Sequence, residues 1–255
     1  MRFRGALSVL ALVLLAGCGG EDTTTTVTVR ETVTETAASS VPTEAPTMVA
    51  LYFLDDGKVW PEQRGIVSRP DIATVTIQQL FEGTENAELT TAIPQATTLD
   101  SLTIEGGVAS IALSPALTDR RALAQVAYTL TQFETVKRVS FNGGRALGRG
   151  AFEQQTPAIL VESPLSGETV EPGFEATGTA NTFEATFQYE LRDSAGKILT
   201  KDFVTATSGT GTRGTFSFTV PYEVASPQQG RLVVFEISAA DGSRTNERSI
   251  PLQLG

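Results

Sequence analysis

Apolar residues recur along this chain with two different periods, and the change from one to the other divides it. Residues 48–55, MVALYFLD, are an unbroken apolar, β-prone run that Asp55, Asp56 and Gly57 interrupt as a turn, and a second extended piece runs from Lys58 through Trp60 toward Val67. Asp71, after Pro70, offers an N-cap, and Ala73, Ile77, Leu80 and Phe81 follow at helical spacing until Gly83. Strands are predicted over 98–104 and 108–113, flanking the turn Glu105-Gly106-Gly107. Leu123, Val126, Ala127 and Leu130 then fall at i, i+3, i+4 and i+7, the stripe of an amphipathic helix, and residues 136–141 read as a closing strand. The predicted order over residues 48–142 is β-β-α-β-β-α-β, an α+β unit with two helices packed on one small sheet.

Residues 143–157 are glycine-rich without an apolar period and predict a linker. From 158 to 255 the pattern is purely β. Ala185, Phe187, Tyr189 and Leu191 alternate with Glu184, Thr186, Gln188, Glu190 and Arg192, which places the second set on a wet face. Phe216, Phe218 and Val220 repeat the theme, as do Ile250, Leu252 and Leu254, while the continuous run 232–235 reads as a central strand. Turns at 194–196 and 241–243 give about seven strands, the complement of an all-β immunoglobulin-like sandwich.

Ahead of both units, Arg2 and Arg4 precede an apolar run from Ala6 to Leu15 that is too short to cross a bilayer and reads as a secretory signal over residues 1–17. The order Leu15, Ala16, Gly17, Cys18 resembles the lipobox of bacterial lipoproteins, which implies a lipid on Cys18 and cleavage just before it. Residues 19–47 are rich in Thr, Glu, Ala and Pro and carry no aromatic residue, so they read as a solvated tether.

Composition then removes chemistry. The chain of 255 residues has no histidine and one cysteine, so it forms no Ser-His or Cys-His pair, no imidazole metal site and no internal disulfide. Its net charge is −10, and removal of residues 1–17 leaves 17 basic against 29 acidic residues, or −12. The net charge of such a body gives no electrostatic attraction to nucleic acid or to anionic headgroups, and any membrane attachment falls to the lipid.

Few motifs survive scrutiny. Gly209, Gly211 and Gly214 satisfy G-x-G-x-x-G, but a strand follows them where a dinucleotide site needs a helix. Asp55 and Asp56 read as a turn, because a hard cation needs convergent oxygen ligands. No metal ligand set, catalytic residue or cofactor is assigned. For partner binding the candidates are Trp60, Arg64 and the loop 89–94 with Leu89, Thr90 and Thr91. An exposed indole offers a hot spot or stacking platform, and a guanidinium pairs bidentately with a carboxylate. Trp60 as core and Arg64 as a solvated charge is the alternative. Tyr128, Thr129 and Gln132 lie at the edge of the second helix's stripe, either facing a partner or bordering the core.

Four blocks, LYFLDDGKVWPEQR (51–64), LTTAIPQATTL (89–99), GGVASIALS (106–114) and LAQVAYTLTQFETVKRVSFNG (123–143), resemble the GerMN domain of extracytoplasmic proteins in Gram-positive bacteria. ILVESPLSGETVEPGFEATGTANTFEATFQYELRDSAGKIL (159–199), GTFSFTVPY (214–222) and GRLVVFEISAADGSRTNERSIPLQL (230–254) resemble Gmad2, an immunoglobulin-like module that accompanies GerMN in envelope lipoproteins. The resemblance implies a non-enzymatic binding or assembly lipoprotein on the outer face of the cytoplasmic membrane. Its partners would be an envelope protein or peptidoglycan, with sporulation-type complexes among the possibilities. A second reading is an accessory to the sensor domain of a membrane histidine kinase, a role associated with GerMN lipoproteins of actinobacteria; a carboxylate-based wall hydrolase is a third. The resemblance carries no catalytic residues, and the oligomeric state is not legible.

Overall fold

The computed structural model describes residues 46–67 and 69–255. The expected signal peptide, the lipobox with Cys18 and nearly all of the tether lie outside the described residues. No helix among the described residues is long and apolar enough to cross a membrane.

The first unit follows the predicted order. β1 (Thr47–Asp55) and β2 (Lys58–Ile66) form an antiparallel ribbon, followed by α1 (Ile72–Glu82), β3 (Thr98–Glu105), β4 (Val108–Ser114), α2 (Arg120–Leu130) and β5 (Arg138–Phe141). Both hairpins close on paired left-handed residues, Asp56 with Gly57 and Gly106 with Gly107, so the Asp-Gly and Gly-Gly signals mark the turns for a backbone reason. Residues 49–54 of β1 are all buried, which explains an unbroken apolar run where a half-exposed strand would alternate.

One expectation needs correcting: the strands form two sheets. β1 and β2 stand alone, while β3, β4 and β5 form a second sheet, antiparallel between β3 and β4 and parallel between β4 and β5, with α2 as the crossover. The reason lies at the free edge of β1. Its outward backbone groups at Ala50, Tyr52 and Leu54 are already bonded, so no third strand can add on that side. Gln132 accepts from Ala50 N at 2.8 Å and donates to Ala50 O at 2.7 Å. Thr129 Oγ1 accepts from Tyr52 N at 3.0 Å, Gln125 donates to Tyr52 O at 3.1 Å, and Leu54 exchanges two bonds with Thr90. Three polar side chains and one loop residue thus replace a neighbouring strand. Pro61 in β2 is tolerated because it lies opposite Tyr52, in a pair whose amides point away from the partner strand.

The second unit is a sandwich. β6 (Ile159–Ser163), β8 (Phe174–Ala180) and β11 (Gly214–Val220) form one sheet. The other contains β10 (Ile198–Thr205), β9 (Thr186–Asp193), β12 (Gln228–Ile237), β13 (Arg244–Leu254) and the two-residue β7 (Thr169–Val170). Phe187, Tyr189, Phe216 and Phe218 interlock between the sheets, with Phe187–Phe216 centroids 4.9 Å apart and Tyr189–Phe218 4.6 Å apart. Aromatic packing occupies the place a disulfide takes in other sandwiches. Glu190 departs from the predicted wet face. It is 4% exposed and bridged by Arg192 and Arg244, the latter lying 3.8 Å over the Phe235 ring. β9 is an interior strand, and arginines from β9 and β13 fold over the outward carboxylate and cover it.

Residues 143–157 are packed where a linker was expected. Arg149–Gln155 form two short 3₁₀ turns that meet at a kink at Phe152, whose side chain is fully buried in a core continuous from the ribbon to the sandwich.

Candidate functional site

The two units meet along a cleft of about 600 Å³. One wall comes from Asp55 at the ribbon turn, Trp60 to Gln63 of β2 and the loop 85–89 after α1; the other comes from Ser166, Arg231, Ser249 and Pro251 of the sandwich. β2 presents its residues here because its outer edge is free, and the loop is held against it by Glu62. That carboxylate accepts from the Thr84 hydroxyl, from the backbone amides of Glu85 and Asn86 at 3.3 and 3.2 Å, and from Arg64 at 2.7 Å. Burial raises the Glu62 pKa, but the bonds from Thr84, Arg64 and the two amides outweigh it and hold it below the ordinary 4.5. Glu62 is therefore ionised and fully engaged at neutral pH.

The lining is acidic. Asp55, Glu62, Glu85 and Glu88 line the cleft with one cation, Arg231; Arg64 pairs with Glu62 and Glu85, and Arg248 stands 3.5 Å from Asp55 across the junction, which leaves Glu88 as the lining carboxylate without an ion pair among the described residues. Trp60 and Leu89 add apolar surface to the lining, each only 8% exposed. The arrangement suits a group that brings positive charge and some apolar surface.

The candidate residues divide on this geometry. Trp60 and Leu89 line the cleft, but Trp60 is not the exposed indole a stacking platform requires. Arg64 is not a solvated charge and does not await a carboxylate: its side chain is 11% exposed, and it binds Glu62, Gln79, the Gly83 carbonyl and Glu85. Thr90 and Thr91 stay outside the cleft. Thr90 closes the β1 edge, and Thr91 turns its hydroxyl to the Ile93 amide and Gln125. Tyr128, Thr129 and Gln132 face inward, since α2 is covered on nearly every side; Tyr128 shares a 2.7 Å hydrogen bond with Thr156. Of the glycines of G-x-G-x-x-G, Gly209 packs against residues 182–185, Gly211 lies in the open loop after it, and Gly214 begins β11, the strand the alternation predicted.

Reasoning from sequence missed the rest of the lining. The acids at 85 and 88 were the one local signal. Ser166, Arg231, Ser249 and Pro251 have none, because only the packing of one unit on the other brings them there. Among the described residues no group of three or more acidic or cysteine side chains is placed to hold a metal ion.

A family model described as sporulation and spore germination matches residues 50–144, and one described as an immunoglobulin-like domain of bacterial spore germination matches residues 158–243. Among curated proteins the chain has no match. Similar solved structures include a Clostridium perfringens protein described as a lipoprotein, 19% identical over 44% of this chain and 93% of that one, with a TM-score of 0.30. Another is CopC from Methylosinus trichosporium OB3b, 15% identical over 38% of this chain and 92% of that one, with a TM-score of 0.25.

Proposed function

Because this chain carries a GerMN domain followed by a Gmad2 immunoglobulin-like domain, we propose that it is a non-enzymatic binding module of the bacterial cell envelope. Its anchor is a lipid on Cys18, and the tether holds the folded part off the outer face of the cytoplasmic membrane. Its ligand enters the cleft between the domains. The observation that supports this best is the cleft itself, shared by both domains and lined by carboxylates around a small apolar area. With Arg64 engaged internally, the charge preference is the reverse of the one its guanidinium implied. The ligand is a cationic group, such as the amine of a wall stem peptide or a basic segment of an envelope protein.

In a hydrolase reading Glu62 is not the general acid, which is a carboxyl kept protonated, because Glu62 is held ionised. A protein partner such as a kinase sensor domain is favoured by one feature, the exposure of Phe183 at 63% and Phe203 at 67% on the sandwich.

Crosslinking in intact cells, followed by pull-down on purified wall, tests the binding reading. Glu85→Gln with Glu88→Gln should weaken capture about tenfold, near 1.4 kcal/mol, without changing the thermal midpoint. Undiminished capture by that double variant removes the cleft as the site. For the anchor, Cys18→Ala should shift the protein from the membrane fraction to the medium or leave an uncleaved precursor, and unchanged membrane retention rules the lipid out.

A further inference from the structure

Between Thr135 and Phe152 this acidic chain has Lys137, Arg138, Arg145 and Arg149 and no carboxylate at all. Arg149 turns inward to Glu162. The others stay out: Lys137, Arg138 and Arg145 are exposed, and none of them makes an ion pair among the described residues.

Their placement gives the cluster a shape. β5 is an edge strand, paired with β4 on one side and met on the other only by a bridge between Val139 and Leu147. That bridge brings the loop after β5 back beside the strand. The result is a hollow of about 510 Å³, lined by Arg138, Arg145 and the backbone around Gly148 and Gly150. Arg120, the first residue of α2, reaches the Ala151 carbonyl in the same lining and is likewise unpaired with any carboxylate among the described residues. Two guanidinium groups, those of Arg138 and Arg145, therefore line one concavity on a body whose net charge is negative, while Arg120 is occupied beside it by the Ala151 carbonyl and the Phe152 ring. No carboxylate among the described residues relieves the repulsion between Arg138 and Arg145, and an anion would relieve it.

We propose that this hollow binds a phosphodiester polyanion, a soluble polymer of repeated phosphates. Guanidinium forks match phosphate oxygens, and a chain of phosphates engages both forks at once where an isolated carboxylate occupies one. A membrane surface carries the same chemistry but fits less well: the acidic body is repelled by an anionic sheet, whereas a thin flexible chain can enter a hollow. The site is independent of the junction cleft, which has the opposite charge.

The test is calorimetric titration of the full-length protein in detergent with poly(glycerol phosphate) at low salt, alongside flotation with phosphatidylglycerol and phosphatidylcholine vesicles. Binding of the polymer should weaken steeply with added salt. Arg138→Gln with Arg145→Gln should weaken it about tenfold or more, at an unchanged thermal midpoint because both side chains are exposed and unpaired. Glu85→Gln with Glu88→Gln should leave it intact, which separates this site from the cleft. The proposal is overturned by absence of polymer binding at low salt, by full binding in the arginine variant, or by capture on phosphatidylglycerol vesicles without polymer binding.

Discussion

A carboxylate on the outward face of an interior strand stays ionised only if cations come to it, and Glu190 has two. Burial raises its pKa, but the bonds from Arg244 and Arg192 prevail and hold it below the ordinary 4.5. A folded pKa below the unfolded one contributes stability that is complete above the unfolded value and lost as pH falls through the folded one. Glu62 has the same sign. The thermal midpoint should therefore be flat near neutrality and decline as pH drops below about 4.5. Glu190→Gln should cost about 1–2 kcal/mol at pH 7, less than for a fully buried pair because Arg192 and Arg244 are about a third exposed. Its acid decline should also be shallower than that of the wild type. A variant with the same midpoint and the same acid limb would show that the arginines merely rest on the surface.

At the scale of elements, the strands and helices were legible because each apolar period matches a buried face and each hairpin turn is written in Asp-Gly or Gly-Gly. The pairing of β1 was not. A glutamine at the end of a helix looks like a surface residue, and nothing in the order Thr129, Leu130, Thr131, Gln132 says that its amide will replace a peptide group of a strand. Gln132→Leu tests that role. It removes both bonds to Ala50 and leaves an N–H and a C=O of a part-buried edge without partners, at about 2 kcal/mol. Hydrogen exchange at the Ala50 amide should accelerate well beyond that at Val49, whose amide faces β2. Equal protection of Ala50 in variant and wild type would mean that Gln132 does not close the edge.

For the molecule as a whole, the decisive segment is the one that reads as a glycine-rich spacer. Its composition hides a wedge, because the residues that matter, Arg149, Phe152, Glu153 and Thr156, find their partners far away in sequence. Arg149 pairs with Glu162 of β6, bonds Thr131 at 2.7 Å and lies 4.6 Å over the Tyr128 ring; Tyr52 donates to the same Glu162 at 2.6 Å. Glu153 is gripped by both arms of Arg213 at 2.9 Å, and Phe152 fills the space between. The cleft depends on this junction, since its walls come from opposite sides of it, and that dependence is why the wall made by Ser166, Arg231, Ser249 and Pro251 was invisible to the sequence. The wedge predicts that the two domains unfold together, in one cooperative thermal transition. Trypsin should cut after Arg145, which is exposed, yet the two fragments should co-elute on a sizing column because the contacts from Arg149 onward survive the cut. Glu162→Gln leaves Arg149 without its carboxylate at a site about one-quarter exposed, a loss of about 2 kcal/mol placed at the junction itself. That variant should unfold in two steps, and its tryptic fragments should separate. Two transitions in the wild type, or fragments that part as soon as Arg145 is cut, would show that the domains are independent and that the cleft between them is not held in place.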